Sequence, residues 1–181
     1  MFIFKKIASF FQKQPKHILT EDGLVYILKE NDQTAILVKD KTAEGDVIIP
    51  HSISFESKEF IVKEVLENAF NGSVDINSIR FSEDSEVTKI GEGAFFFSSI
   101  ESISLPRKLT KIPKFLFSSC INLQNIEIQE NSELRAIDSY AFSKSPITSL
   151  FIPPNAELQS LWCDRTPNLN SITISPKNHR Y

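Results

Sequence analysis

The sequence predicts an α/β repeat solenoid, with short parallel strands on one face, short helical turns on the other and a β-hairpin cap at the N-terminal end. Three observations carry that expectation. Five segments share an L-x-x-I-x-I pattern, with middle positions at 79, 103, 126, 150 and 172. An apolar residue followed five positions later by an aromatic one recurs with the same period: Val65 and Phe70, Ile90 and Phe95, Ile112 and Phe117, Ile137 and Phe142. Composition completes the picture, with 15 Phe but only 5 Gly among 181 residues, so that one side chain is reused for one structural job. Few glycines also imply a chain that rarely needs positive φ.

The two marks divide the labour of each coil. The I-x-I core has period two and reads as a very short strand with its apolar residues on one side. A unit of this length cannot bury that side alone, whereas stacked units pair strand on strand in a parallel ladder. The segments are Ile76-Ile79-Phe81, Ile100-Ile103-Leu105, Leu123-Ile126-Ile128, Ile147-Leu150-Ile152 and Leu169-Ile172-Ile174. The second mark places Ala69, Ala94, Leu116 and Ala141 directly before the Phe. It is expected to form a short turn of helix on the opposite wall, where Ala permits close approach and Phe fills the space between coils. In the fifth copy Trp162 and Cys163 take the Ala and Phe slots, and Cys163 is expected to be a small buried hydrophobe.

Punctuation agrees with this division. Pro50, Pro106 and Pro153 follow short strands and end pairing. The alternate copies run FSEDSEVTKI and IQENSELRAI instead, which are longer acidic turns. Three domains follow: a basic amphipathic segment over 1–17, a β cap over 18–65 and a solenoid of about five coils over 66–181. In the cap, Leu24–Leu28 and Ala35–Val38 flank a polar turn and read as a hairpin. The first sixteen residues contain Lys5, Lys6, Lys13 and Lys16 and no acid, with Ile3, Ile7, Phe10 and Phe11 near helical spacing. This suits weak contact with an anionic membrane surface, a helix over the end of the domain, or a frayed tail. Only seven residues follow Ile174, so the last strand calls for a further coil, a partner or a folded-back tail, and a truncated array is the preferred expectation.

The unit I-x-x-x-x-A-F-x-x-(C/S)-x-x-L-x-x-I-x-I-P resembles the BspA-type, or Treponema-type, leucine-rich repeat. Lys89-Ile90-Gly91-Glu92-Gly93-Ala94-Phe95 carries its "I-G-x-x-A-F" core, and Phe117-Ser118-Ser119-Cys120-Ile121-Asn122-Leu123 its "F-x-x-C-x-x-L" core. The resemblance spans about residues 48–178, and Gly23-Leu24-Val25-Tyr26 resembles the segment that often precedes such arrays. It implies a leucine-rich-repeat fold and a place among bacterial and protist surface proteins implicated in adhesion and host-protein binding. The sequence departs from that pattern in showing no secretion signal, and at Leu161-Trp162-Cys163-Asp164.

Function is expected to be non-enzymatic protein binding, through surface adhesion or host-protein interaction. An intracellular scaffold, or a structural fragment of a larger repeat protein, is the alternative. The residues between buried strand positions should project from the sheet face, and Arg80, Ser104, Glu127, Phe151 and Thr173 form the central column. Ser78, Ser102, Asn125, Ser149 and Ser171 flank it on one side, and Ser82, Pro106, Gln129, Pro153 and Ser175 on the other. An exposed Phe151 among serines is the anchor candidate, since aromatics dominate binding hot spots. No G-x-S-x-G, H-E-x-x-H or phosphate-binding glycine loop appears, and the acidic Glu83, Asp84 and Glu86 fall in a variable turn. Two cysteines, Cys120 and Cys163, and three scattered histidines form neither a disulfide framework nor a metal spacing. No catalytic residue, metal, cofactor or small-molecule substrate is expected. A net charge of -3 recruits no nucleic acid. With neither a signal peptide of the usual kind nor a transmembrane run, the chain is expected in the cytoplasm, or at the cell surface by a non-classical route. Asn71-Gly72-Ser73 is a glycosylation sequon if the chain is exported.

Overall fold

The structure is a computed structural model that describes residues 15–181. The amphipathic segment expected over 1–17 therefore lies almost wholly outside the described residues. In chain order the strands are β1 (Lys16–Leu19), β2 (Leu24–Lys29), β3 (Thr34–Asp40), β4 (Gly45–Ile49), β5 (Ser52–Phe55), β6 (Lys58–Val65), β7 (Ile76–Phe81), β8 (Lys89–Ile90), β9 (Ser102–Ser104), β10 (Lys111–Ile112), β11 (Asn125–Glu127), β12 (Ala136–Ile137), β13 (Ser149–Ile152), β14 (Glu157–Leu158) and β15 (Ser171–Ile174).

At the N-terminal end, β2 and β3 form the antiparallel hairpin that the alternating apolar runs predict, and β1 adds an outer strand. The hairpin joins β6 in parallel, β5 closes the far edge, and the strand order is β1-β2-β3-β6-β5. Gly23 enters the hairpin at φ +83°, and a Cβ there would lie 2.5 Å from the Ala43 nitrogen, so only glycine fits. Tyr26 is fully buried and its hydroxyl has no hydrogen-bond partner.

The I-x-I segments form the expected parallel ladder. It runs β4-β7-β9-β11, and β13 pairs with β15 in the same sense. Val47 sits opposite Ile79, and Ile79 opposite Ile103. Their side chains are 0–5% exposed, so one face of the ladder is core. The first residue of the second mark forms a ladder of its own. Val65 pairs with Ile90, and Ile112, Ile137 and Leu158 pair in series, two residues per strand.

The third wall corrects one expectation. No helix forms among the described residues, and the Ala-Phe segments are chains of tight turns. A helix would bond each N–H to the carbonyl four residues back. Here the N–H groups alternate between two other partners. Ala94, Phe96 and Ser98 donate to carbonyls three residues back, at Gly91, Gly93 and Phe95. Gly93, Phe95 and Phe97 donate to Lys114, Leu116 and Ser118 of the following coil. Leu116 to Ser119 repeat the alternation, donating in turn to Pro113, Ala141, Phe115 and Ser143. The wall is thus hydrogen-bonded from coil to coil, which continuous helix would forbid because its amides are consumed internally.

That alternation needs left-handed residues, and it overturns the inference from the low glycine count. Eleven non-glycine described residues have positive φ. Two positions per coil recur, two residues before and two after the Phe slot: Asn68 and Gly72, Gly93 and Phe97, Phe115 and Ser119, Tyr140 and Lys144, Leu161 and Arg165. Only Gly72 and Gly93 in this set are glycines. Every other site carries an L side chain in a conformation that costs on the order of 1–2 kcal/mol, and Asn68, Phe97, Ser119, Tyr140 and Lys144 offset it with an N–H bond to the next coil.

The Phe slots stack as a continuous spine. Phe70, Phe95, Phe117 and Phe142 have ring centroids 5.1, 5.5 and 5.3 Å apart and interplanar angles of 8–16°. All four are 0% exposed. Trp162 ends the spine edge-on against Phe142 at 5.9 Å. Cys163, expected to be buried in the Phe slot, is half-buried, because the neighbouring indole supplies the packing there. Gly91 permits the close coil contact: a Cβ would approach the Glu67 nitrogen to 2.3 Å. The residue three after the Phe ties coils together, since the Cys120 thiol donates to the Phe95 carbonyl at 2.8 Å and the Ser145 hydroxyl to that of Phe117.

At the far end the chain folds back beside β14. Tyr181 accepts the Leu158 N–H at 2.8 Å, Arg180 pairs with Glu157 at 3.1 Å, and Asn178 donates to the carbonyls of Pro153 and Ala156. The tail packs beside β14 and not over β15, the strand it was expected to cover. On β15 itself, Ile172 and Ile174 stay 47% and 40% exposed.

Candidate functional site

The outward face of the parallel ladder is built by strand alternation. With Ile79, Ile103 and Leu150 turned inward, the residue after each turns outward. Arg80 and Glu127 are exposed and Ser104 is half-buried, and these three line one shallow groove with Ile48. Register places Ile48 opposite Arg80 and Ser104 opposite Glu127. Glu83, Arg107 and Gln129 complete the groove wall. Phe151 and Thr173 pair with each other on the β13–β15 ladder and do not line that groove. Phe151 is half-buried and packed against the core, so it is less available than a freely projecting anchor.

The flanks divide. Asn125, Ser149 and Ser171 are exposed, and Ser78 donates to Asp46 at 2.5 Å. On the other side Pro106, Pro153 and Ser175 are buried, because the chain turns inward where proline ends the strand. Ile48 is the residue missed from sequence. It is 51% exposed, yet its segment lacks the full L-x-x-I-x-I pattern, and Ile49-Pro50 was the one signal that marks it as a rung.

The groove presents guanidinium donors from Arg80 and Arg107, carboxylates from Glu83 and Glu127, and an apolar edge at Ile48. Beside it, the acidic turn is more ordered than its sequence suggests. Glu86 accepts hydrogen bonds from Lys108 and, at 3.0 Å, from Lys63. These two lysines, Lys108 first, pull its carboxyl from 4.5 down to about 2. His51 lies 2.9 Å from the Asp84 carbonyl. Among the described residues no group of three or more His, Cys, Asp or Glu side chains could hold a metal ion, and no helix is long and apolar enough to cross a membrane.

The coil just described also matches a family model, the BspA type leucine rich repeat region, in six copies over residues 51–170. The chain belongs to this family. The matched BspA-type span holds β7 to β14 and the whole Phe spine. Solved structures agree on the fold. A leucine-rich repeat protein from Bacteroides ovatus is 22% identical with a TM-score of 0.75, covering 85% of this chain and 40% of that one. The T. pallidum leucine rich repeat protein TpLRR is 22% identical with a TM-score of 0.74, covering 84% of this chain and 69% of that one. The pneumococcal vaccine antigen PcpA is 22% identical with a TM-score of 0.69, covering 92% of this chain and 52% of that one. This BspA-type chain therefore spans well under two thirds of the B. ovatus protein. No curated protein matches it.

Proposed function

We propose that this BspA-type repeat chain is a non-enzymatic protein-binding module that engages its partner through the outward face of the parallel ladder, as an adhesion or host-interaction surface. The observation that carries the reading is the groove that gathers Ile48, Arg80, Ser104 and Glu127 on one rigid face. Phe151 and Thr173 add a second pair of rungs on the separate β13–β15 sheet. Rungs about 4.8 Å apart make an extended, inflexible surface, which loses little entropy on binding. Solenoids commonly bind on such faces. The likeness to a protein described as a vaccine antigen favours the surface role over an intracellular scaffold. In this reading residues 18–65 cap the array and also supply its first rung, β4 with Ile48, residues 66–181 carry the five predicted contact residues, and residues 1–17 are an appended basic segment with at most a peripheral part in membrane contact.

The test has two arms. Surface labelling of intact cells should reach the protein, and failure to do so returns the scaffold reading. The native chain and the triple variant Arg80→Ala, Glu127→Ala, Phe151→Ala would then be compared against immobilised extracellular-matrix and plasma proteins. The variant should lose at least tenfold in affinity for any ligand the native chain holds. Equal affinity removes this face from consideration.

A further inference from the structure

The turn wall carries a second surface that the sheet-face reading does not use. Its outer side exposes a run of apolar rings. Phe115 and Tyr140 stack at 5.6 Å and 9°, Phe96 meets Phe115 at 6.5 Å and 63°, and Phe97 meets Phe96 at 4.3 Å and 67°. Phe97 is 57% exposed and Phe115 42%. These rings lie outside the buried spine, with Phe96 and Tyr140 half-buried and Phe97 and Phe115 exposed.

Their backbone makes them unexpected. Phe97, Phe115 and Tyr140 all sit at positive φ, at positions where other coils of the same wall carry Asn68, Gly72 and Gly93. A bulky residue in that region is an outlier. Glycine would take this conformation at lower cost, so the rings are kept at a conformational cost.

The charge beside them indicates the occupant. Glu67 and Glu92 occupy equivalent positions on adjacent coils, three residues before Phe70 and Phe95. Both are exposed, and with Asn68, Gly93, Phe96 and Phe115 they line one pocket. Neither has an ion-pair partner among the described residues. Like charges on neighbouring rungs repel, and a cation between them relieves that repulsion. The same cation over the face of an aromatic ring within about 6 Å gains cation–π attraction. Lys114, at the equivalent position of the next coil, is where the acidic stretch ends. The pocket is thus an aromatic corner with two carboxylates on its rim.

We propose that this corner, formed by Phe96 and Phe115 with Glu67 and Glu92, docks a lysine- or arginine-bearing segment of a protein partner, one cationic side chain seated against the rings. The site is independent of the sheet face, so a partner can be held on two walls.

The probe is a fluorescein-labelled (Gly-Arg)5 peptide titrated into the full chain by anisotropy, with a (Gly-Gln)5 peptide as control and the Phe ring signals followed by NMR. The arginine peptide should bind, shift the Phe96 and Phe115 rings, and bind at least tenfold more tightly than the glutamine peptide. Glu67→Gln with Glu92→Gln should weaken it about tenfold or more. Phe115→Leu, which keeps apolar bulk and loses the ring, should weaken it at least threefold. Phe115→Gly should do the same while holding or raising the melting temperature, because glycine suits its φ. Several results would overturn the proposal: equal affinity for both peptides, unshifted rings, or binding that survives both Phe115 variants and so reports bulk charge alone. Saturation of the rings by a neutral oligosaccharide such as chitotetraose, with no effect of the arginine peptide, would instead assign the corner to a glycan.

Discussion

Removing one ring from the spine tests the packing most directly. Phe117 is 0% exposed, with Phe95 stacked 5.5 Å away on one side and Phe142 5.3 Å away on the other. A buried Phe→Ala change costs about 3–5 kcal/mol through lost transfer energy and the cavity left behind. Ring pairs add about 0.5–1.5 kcal/mol each beyond area, and Phe117 makes two. Rigid neighbours bonded coil to coil cannot collapse into the gap, which places Phe117→Ala near the top of the range, at about 4–5 kcal/mol. For a chain of this size that corresponds to roughly 8–20 °C in melting temperature. The internal control is Phe115→Ala, two residues away, whose ring is 42% exposed and should cost less than about 1 kcal/mol. Urea unfolding followed by circular dichroism and by the single Trp162 measures both. If the two variants fall within about 1 kcal/mol of each other, the stacked spine is not what holds the coils together.

Three further outcomes follow from the same geometry. Lys144 is exposed at φ +59°, so Lys144→Gly should stabilise by about 0.5–1 kcal/mol, whereas a loss of stability would refute the left-handed turn. The Glu86 carboxyl is lowered in the folded state, so its contribution is present above pH 4.5 and lost as pH falls towards 2; Glu86→Gln should flatten that part of the acid-stability curve, and an unchanged slope would remove the Lys63–Glu86–Lys108 bridge. Burial pushes the Cys120 thiol from 9.0 up to about 12, so stability should fall as pH rises above 9, with the loss complete near 12, and iodoacetamide at pH 8 should label half-buried Cys163 long before Cys120; equal labelling would place Cys120 at the surface.

Much of the fold was legible because burial repeats. Ile79, Ile103 and Leu150 could be read as core from their spacing alone, since a period-two strand leaves one side for the interior. Phe70, Phe95, Phe117 and Phe142 could be read as one column for the same reason. The helical turns were not legible correctly. Apolar spacing in a segment as short as Leu116 to Cys120 does not distinguish a helical turn from a chain of β-turns; the partner of each amide does, and those partners are one coil away in Ala141 and Ser143. Of the candidate site, Arg80, Ser104 and Glu127 follow from strand alternation and do share a groove. Ile48 was hidden by an irregular first rung, and the depth of Phe151 depends on neighbours that spacing does not specify.

By itself the sequence determined the coil: its period, its inward residues, its Phe column and its strand ends at proline. These are one-dimensional because each coil buries its apolar side against a copy of itself. Tertiary structure decided how the coil closes. Positive φ at Phe97, Tyr140 and Lys144, none of them glycine, goes with amides aimed at the next coil. Stacking likewise decided which charges meet, setting Lys63, Glu86 and Lys108 together and leaving Glu67 and Glu92 side by side beside exposed rings. Such pairings lie about one period apart along the chain and come into contact only once the coils are stacked.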